Sequence, residues 1–292
     1  MMWSAGLTDI ETANILCVVG PTASGKTKLA LKLAHKYNGE IINCDSIQLY
    51  KGFDIGSAKP TKQERTEVPH HLIDHVSWEE PYDAFRYKDD ATKVIADIHR
   101  RGKNAILCGG TGLYLRALFG EKYHDLPHDP KLRAQLVQRS NESLYLELID
   151  RDPDRADQLH PNDHFRLARA LEVALLTGKT FADQVAQNSA ETVKTHTTLC
   201  QPSRELLHER IAERVDAMLM AGLVKEVEGL LAEGCPKEAK PMQSIGYKQV
   251  VDFLDGRIEG SELRDKIIFA TRQYAKRQIN WFKKLSVDQI VE

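Results

Sequence analysis

Short, largely apolar runs alternate with longer amphipathic stretches in the first part of the chain. The runs at 15–19, 40–44 and 104–108 have the composition of strands buried on both faces of a sheet. Between the last two, residues 84–101 carry apolar side chains along one helical face. A further amphipathic stretch follows the first run. The order strand, helix, strand, helix, strand predicts a parallel sheet with helices on both faces.

The pattern changes after about residue 119. Residues 130–179 are charged and helical in pattern, contain no convincing strand, and have Pro153 and Pro161 as breaks between helices. Strand-like composition returns at 193–199. This interruption predicts an α-helical insertion between two parts of an α/β core.

Two long helical stretches, 206–231 and 260–285, complete the chain. We therefore expect an α/β core formed by residues 1–119 and 193–292, with a helical insertion domain at 120–192 and helices at the C-terminal end.

Composition narrows the class of protein. The 292 residues are 42% hydrophobic and 28% charged, with a formal net charge of −2, so nucleic-acid contacts must come from local patches. No apolar run approaches the roughly 18 residues that span a bilayer, and the N-terminal residues lack the features of a signal peptide. The five cysteines are scattered without a Cys-x-x-Cys pair, which favours buried thiols over zinc or disulfides. We expect a cytoplasmic protein and, by default, a monomer.

The first strand leads directly into a Gly-x-x-x-x-Gly-Lys-Thr segment, and an amphipathic helix follows it. In this context the pattern predicts a P-loop, whose N–H groups converge on phosphate oxygens. The expected diphosphate-binding residues are Gly20, Pro21, Thr22, Ala23, Ser24, Gly25, Lys26 and Thr27. Lys26 supplies a charge and the Thr27 hydroxyl can ligate Mg²⁺. The core should be P-loop NTPase-like, but the loop does not specify a nucleotide.

The other sequence features expected of a nucleotide hydrolase are only weakly represented. Asp45, after the second strand, could be the acidic Mg²⁺ ligand, but the third strand ends in Gly109-Gly110 instead of a carboxylate. Asp45 could equally serve as a catalytic base beside the phosphates. Both roles stay open on the residues alone.

Eight segments in order along nearly the whole chain resemble the motifs of tRNA dimethylallyltransferases. They are residues 20–27, 45–50, 54–60, 69–74, 109–114, 166–172, 245–249 and 270–281. The departures are small: Ser57 stands where Thr is common, and the insertion is rather short.

The resemblance implies a reaction. The P-loop would hold dimethylallyl diphosphate, and the acceptor would be the exocyclic amine of the adenosine immediately 3′ of certain tRNA anticodons. Isopentenyl-adenosine and pyrophosphate would be formed. Asp45 then becomes the candidate base, while Lys26, Thr22 and Mg²⁺ stabilise the leaving group. Arg214 is the expected arginine at the diphosphate, with Arg210 as the alternative.

The resemblance also implies contacts with tRNA. The expected residues are Asp45, Ser46, Ile47, Gln48, Thr111, Arg133, Phe165, Arg166, Leu167, Ala168 and Arg169. Within this set, Gln48 is expected to read the edge of an extruded base. Basic residues interleaved with aromatic ones at 272–284 suit phosphate contact and stacking.

Other interpretations compete with each of these. The same loop could serve an ATP-dependent small-molecule kinase or a nucleic-acid-binding regulatory ATPase. His70-His71 could bind a metal, but such a pair is usually structural. By spacing alone, Arg166 and Arg169 are typical of a solvated helix face. The basic C-terminal helix, taken by itself, is likewise typical of ordinary protein surface.

Overall fold

The computed structural model describes residues 15–120, 126–186 and 195–292. The chain divides into two compact units, one formed by residues 1–118 with 193–292 and the other by 119–192. Nowhere in these described ranges is a helix both long and apolar enough to cross a membrane.

The first unit contains a parallel sheet in the order β3-β2-β4-β1-β5-β6. The strands are β1 (Ile15–Val19), β2 (Gly39–Cys44), β3 (His70–His71), β4 (Asn104–Gly109), β5 (Thr195–Cys200) and β6 (Gln289–Val291). All five residues of β1 are buried, because the strand lies in the middle of the sheet and is covered on both faces. The predicted α/β class is confirmed.

The register brings three strand ends together. Cys44 of β2 pairs with Gly109 of β4, and Gly109 pairs with Val19 of β1. The segments that follow these strands therefore leave the sheet side by side at its carboxyl edge, where ligands bind in open α/β sheets.

Helices surround the sheet. In this unit they are α1 (Lys26–Lys36), α2 (Lys62–Glu67), α3 (Ala84–Arg100), α4 (Gly112–Phe119), α10 (Arg204–Met220), α11 (Leu223–Ala232), α12 (Tyr247–Leu254) and α13 (Gly260–Phe282). The prediction of one long helical stretch over 206–231 is wrong. Gly222 has φ +99°, a left-handed conformation that separates α10 from α11.

The insertion unit contains the intervening helices. They are α5 (Pro130–Val137), α6 (Asn141–Arg151), α7 (Pro153–Asp157), α8 (His164–Thr177) and α9 (Phe181–Ala186). Its core is formed by leucines such as Leu144, Leu148 and Leu171. The predicted breaks are confirmed, since Pro153 starts α7 and Pro161 lies between α7 and α8.

Candidate active site

The P-loop joins β1 to α1 and ends in a helix N-terminus without a side-chain cap. Gly25 is the N-cap residue, and its φ of +89° is a conformation that glycine adopts without strain. The N–H groups of the first turn have no carbonyl partner within the helix. A glycine at the cap leaves these groups open to phosphate oxygens.

Two cations lie against this loop. Lys26 Nζ donates to the Pro21 carbonyl at 3.2 Å, and Arg214 Nη1 approaches Thr22 Oγ1 at 3.5 Å. Burial lowers the pKa of the Lys26 ammonium from its ordinary 10.5, and it also lowers the pKa of the Arg214 guanidinium below its ordinary value. Within the described ranges neither cation has a carboxylate at ion-pair distance. An anionic ligand would supply the missing counter-charge.

Arg210, the alternative to Arg214, approaches the loop at a different point. Its Nη1 lies 3.5 Å from the Ser24 carbonyl. Both arginines lie on α10, one helical turn apart, and so face the loop together.

Asp45 follows β2 and forms an Asx turn with the residues after it. Its Oδ1 accepts hydrogen bonds from the N–H groups of Ile47 at 2.9 Å and Gln48 at 3.4 Å. For the part of the chain that the structure describes, no hydrogen bond reaches Oδ2. One carboxylate oxygen is therefore fixed by the backbone, and the other has lone pairs available to a ligand.

Thr111 connects the Asp45 segment to the end of β4. Its hydroxyl oxygen accepts the Ser46 N–H at 3.1 Å, and its own N–H donates to the Cys44 carbonyl at 3.1 Å. The Thr111 hydroxyl can still donate its hydrogen. The predicted acceptor-side residues 45–48 and 111 thus form one connected surface in the core.

Gln48 makes hydrogen bonds within the protein through its amide nitrogen. Its amide nitrogen donates to the carbonyls of Ser57 and Ala58, each at 3.1 Å. Because both N–H donors are used within the protein, Gln48 fixes the turn at 57–58. Its Oε1 has no hydrogen-bond partner in the described structure, so this oxygen can still accept from a base edge.

Two cavities meet at Thr22, Asp45 and Arg214. The first, the loop cavity, has a volume of about 250 Å³ and includes the P-loop. The second, the helix cavity, has a volume of about 310 Å³ and includes Ile47 and Tyr274. A ligand on the loop can therefore meet a ligand in the helix cavity beside the Asp45 carboxylate.

The helix cavity combines apolar surface with polar side chains. Tyr274 and Arg277 of α13 line it, and the Arg277 guanidinium lies 5.7 Å from the centre of the Tyr274 ring. Burial raises the pKa of Tyr274 above its ordinary value, so the phenol stays protonated. An aromatic face with adjacent donors suits a heterocyclic base.

Gln278 is a site residue that sequence reasoning missed. This buried side chain of α13 accepts the Thr22 N–H through Oε1 at 2.8 Å and donates to the Gly110 carbonyl through Nε2 at 3.0 Å. It therefore joins the P-loop to the turn after β4. Its only sequence signal was its position within the 270–281 motif.

Glu226 is a second residue that was missed. Its carboxylate accepts the N–H groups of Asp54, Ile55 and Gly56 at 2.8–3.2 Å, and the Tyr247 hydroxyl at 2.6 Å. Together with Gln48 it fixes the loop whose residues 57 and 58 border both cavities.

The described residues suit a metal held jointly with a phosphate ligand. No group of three or more His, Cys, Asp or Glu with metal-site geometry occurs within residues 15–120, 126–186 and 195–292. Thr27 borders the loop cavity, as does Asp45. Mg²⁺ typically takes one or two protein ligands and completes its shell with phosphates and water, so this arrangement fits it.

His70 and His71 make contacts within the protein. His71 Nε2 lies 2.7 Å from the buried Glu40 carboxylate, and His70 Nδ1 lies 2.7 Å from the Val68 carbonyl. These contacts favour the structural interpretation of the pair.

In the insertion unit, Arg133 and Arg169 are bound to a buried carboxylate. Arg133 Nε donates to Glu172 at 3.0 Å, and Arg169 Nη1 donates to it at 2.7 Å. Glu172 is 0% exposed. Burial alone would raise the pKa of Glu172, but these hydrogen bonds hold it below its ordinary value. Both arginines therefore contribute to folding of the unit.

Only some of the side chains in the segment 165–169 are exposed to solvent. Phe165 is 69% exposed, and Arg166 is exposed and pairs with Asp163. Leu167 and Ala168 are buried in the core of the insertion, which removes their side chains from contact with RNA. Of the predicted contacts in this segment, the side chains accessible to a ligand are those of Phe165, Arg166 and the partly exposed Arg169.

The predicted C-terminal basic cluster is exposed. It consists of Arg272, Lys276, Arg277, Lys283 and Lys284. The cluster begins on α13, the helix that also supplies Tyr274 and Gln278 to the site.

Comparisons with known proteins show what the chain is similar to. The IPP transferase family model matches residues 48–285. A tRNA dimethylallyltransferase of Geobacter metallireducens is 45% identical over 287 residues, covering 95% of this chain and 92% of that protein.

Two solved structures are similar over most of the chain. A tRNA delta(2)-isopentenylpyrophosphate transferase from Staphylococcus epidermidis aligns with a TM-score of 0.67 at 38% identity, covering 95% of this chain and 92% of that one. A eukaryotic dimethylallyltransferase acting on tRNA aligns with a TM-score of 0.82 at 33% identity, covering 94% of this chain and 71% of that one.

Proposed function

Because the chain belongs to the IPP transferase family, we propose that it is a tRNA dimethylallyltransferase. It transfers a dimethylallyl group from dimethylallyl diphosphate to the exocyclic amine of the adenosine immediately 3′ of the anticodon, and releases pyrophosphate. The observation that carries this proposal is the meeting of two cavities at Thr22, Asp45 and Arg214.

The loop cavity suits the donor. The open N–H groups at the start of α1 and the Lys26 ammonium recognise a diphosphate without requiring a nucleoside. Because Lys26 and Arg214 lack carboxylate partners in the described structure, the diphosphate supplies their counter-charge. Donor binding is thus electrostatically favourable in a partly desolvated site.

The helix cavity suits the acceptor base. Moving an adenine out of its stack in the anticodon loop costs a few kcal/mol of unstacking free energy. This is about the unstacking free energy that other base-flipping enzymes must supply. Tyr274 and Ile47 offer surfaces for the base, and Arg277 lies beside Tyr274. The base then approaches Asp45 from the helix cavity, while the donor approaches it from the loop cavity.

The reaction exchanges one bond to the prenyl carbon for another. The amine nitrogen forms a bond to C1 of the donor, the C1–O bond breaks, and pyrophosphate leaves with the electron pair. The amine becomes acidic only as it attacks, so its proton passes to Asp45 at Oδ2, the oxygen without a backbone partner.

The leaving group gains negative charge during this step. Lys26, Arg214, the Thr22 hydroxyl and the loop N–H groups face that charge and stabilise it. We propose Mg²⁺ as the cofactor, with Thr27 as its protein ligand. When bound, the ion neutralises charge on the diphosphate.

The tRNA contacts extend beyond the cavities. In the core they comprise the 45–48 segment and Thr111, and on the insertion domain they comprise Phe165 and Arg166, with Arg133 and Arg169 supporting the helix that carries them. Phosphate contacts by the exposed cations would make the affinity for tRNA dependent on salt.

One assay tests the proposal. The protein is incubated with Mg²⁺, unmodified tRNA and dimethylallyl diphosphate labelled in the prenyl carbons, and label in RNA is counted. The matched control is an anticodon stem-loop with purine riboside, which lacks the exocyclic amine, at the target position. We expect label in the adenosine substrate alone. Absence of label together with ATP turnover would overturn the proposal in favour of a kinase or ATPase.

A further inference from the structure

Asn43 binds both polar backbone groups of Asp45. It is the penultimate residue of β2 and is 3% exposed. Its Oδ1 accepts the Asp45 N–H at 3.0 Å, and its Nδ2 donates to the Asp45 carbonyl, also at 3.0 Å. A single side chain thus holds the backbone of the proposed base on both sides of its Cα atom.

A third hydrogen bond fixes the orientation of the Asn43 amide. Nδ2 also donates to the Leu72 carbonyl at 2.9 Å, beyond the end of β3. Two carbonyls therefore face the nitrogen and one N–H group faces the oxygen, so the opposite amide orientation would lose all three bonds. This is more than an Asx turn requires, because an Asx turn needs only the bond from Oδ1 to the N–H group two residues on.

The arrangement acts on the Asp45 carboxylate through its backbone. With the backbone fixed by Asn43, Asp45 Oδ1 is taken by the N–H groups of Ile47 and Gln48, while Oδ2 has no partner in the described structure. A rotation of the Asp45 backbone would change which carboxylate oxygen is hydrogen-bonded and which one is available to take a proton.

We propose that Asn43 is the positioning residue for the catalytic carboxylate, and that it sets the rate of proton removal rather than the affinity for donor. This inference rests on the proposed prenyl transfer. A displacement of about 1 Å between reacting groups can reduce rate about 100-fold. Asn43→Ala is therefore expected to lower kcat about 10- to 100-fold while the Kd for donor stays within about threefold.

The test compares Asn43→Ala and Asn43→Ser with Tyr87→Phe. A serine hydroxyl can accept the Asp45 N–H but cannot bond both carbonyls as well, so kcat should fall in the order wild type, serine, alanine. Tyr87→Phe is the matched control, because the buried Tyr87 hydroxyl donates to the Asn43 carbonyl at 3.0 Å without touching Asp45. Steady-state kcat at saturating donor and tRNA, donor Kd and Tm are measured for each protein.

The inference is supported if the Asn43 variants lose kcat at unchanged donor Kd, while Tyr87→Phe lowers Tm and keeps the wild-type kcat. It is overturned if both Asn43 variants keep kcat, if Tyr87→Phe loses kcat equally, or if donor Kd weakens in parallel with kcat. Should the alanine variant not fold, the serine variant decides alone by the same criteria. Failure of the wild-type protein to label tRNA would instead overturn the proposed function.

Discussion

Replacing Asp45 by asparagine separates its proposed chemical role from its structural one. Asparagine has nearly the same shape, and its carbonyl oxygen can still accept the N–H groups of Ile47 and Gln48 that now bind Oδ1. At the position of Oδ2, however, it presents an NH₂ group that cannot take a proton from the attacking amine. Alanine would remove both functions together.

The expected magnitude follows from these contacts. Loss of a positioned general base lowers rate by about 10²- to 10⁴-fold, which corresponds to about 2.7–5.4 kcal/mol of transition-state stabilisation. The Asx turn is retained with a neutral acceptor, so the free energy of unfolding should fall by only about 0.5–1.5 kcal/mol. Donor affinity should stay equal or increase, because Asp45→Asn removes a negative charge beside the diphosphate.

The assay is steady-state prenyl transfer with saturating donor and tRNA, together with donor titration and thermal unfolding. We expect a kcat at least about 100-fold below wild type, with Kd and Tm nearly unchanged. A kcat within about tenfold of wild type would refute the assignment of Asp45 as base, because so small a decrease in rate lies below the range of general-base effects. A weakened donor Kd would favour the alternative role of Asp45 as a metal ligand.

Other parts of the site give separate tests. The pKa of Lys26 lies below the ordinary 10.5, and the anionic donor binds the protonated form. Donor Kd should therefore be lowest while Lys26 is protonated and rise as pH increases through that lowered pKa; titration of donor binding from neutral to alkaline pH checks this, and an inflection at or above 10.5 would contradict it. Gln278→Ala leaves the Thr22 N–H without its partner and should lower stability by about 1–3 kcal/mol, measured by denaturant unfolding. Arg166→Ala should leave Tm unchanged and reduce the salt dependence of tRNA binding by about one unit of slope, whereas Arg169→Ala should lower Tm because it removes a partner of the buried Glu172.

The order of elements in the core was predictable because its central strands are buried on both faces. Burial of this kind requires continuous apolar runs, and β1 coincides with the predicted 15–19. The short edge strand β3 lacks that signal, since it consists of His70 and His71. The helix α2 has no buried residue, but its capping box of Thr61 and Glu64 was a local signal that could have identified its start.

The contacts that organise the site were much less predictable. Thr22 and Gln278 are 256 positions apart, and Glu226 bonds Gly56 from 170 positions away. On amphipathic helices such polar residues have the pattern of a solvated face, and no local spacing distinguishes them from it. For the same reason the charges around Arg169 indicated an exposed helix, although its carboxylate partner is fully buried.

The glycine pair at the end of β4, Gly109 and Gly110, explains how a P-loop core can be organised without the acidic residue expected there in a nucleotide hydrolase. A side chain at Gly110 would place its Cβ too close to Gln278 Nε2, so any larger residue would displace the amide. With glycine, Gln278 reaches the Gly110 carbonyl and the Thr22 N–H at once, and α13 fixes the P-loop directly. The same helix supplies Tyr274 to the helix cavity. One helix thereby sets the position of the diphosphate loop relative to the cavity proposed for the acceptor base, which is the alignment that transfer between two bound substrates requires.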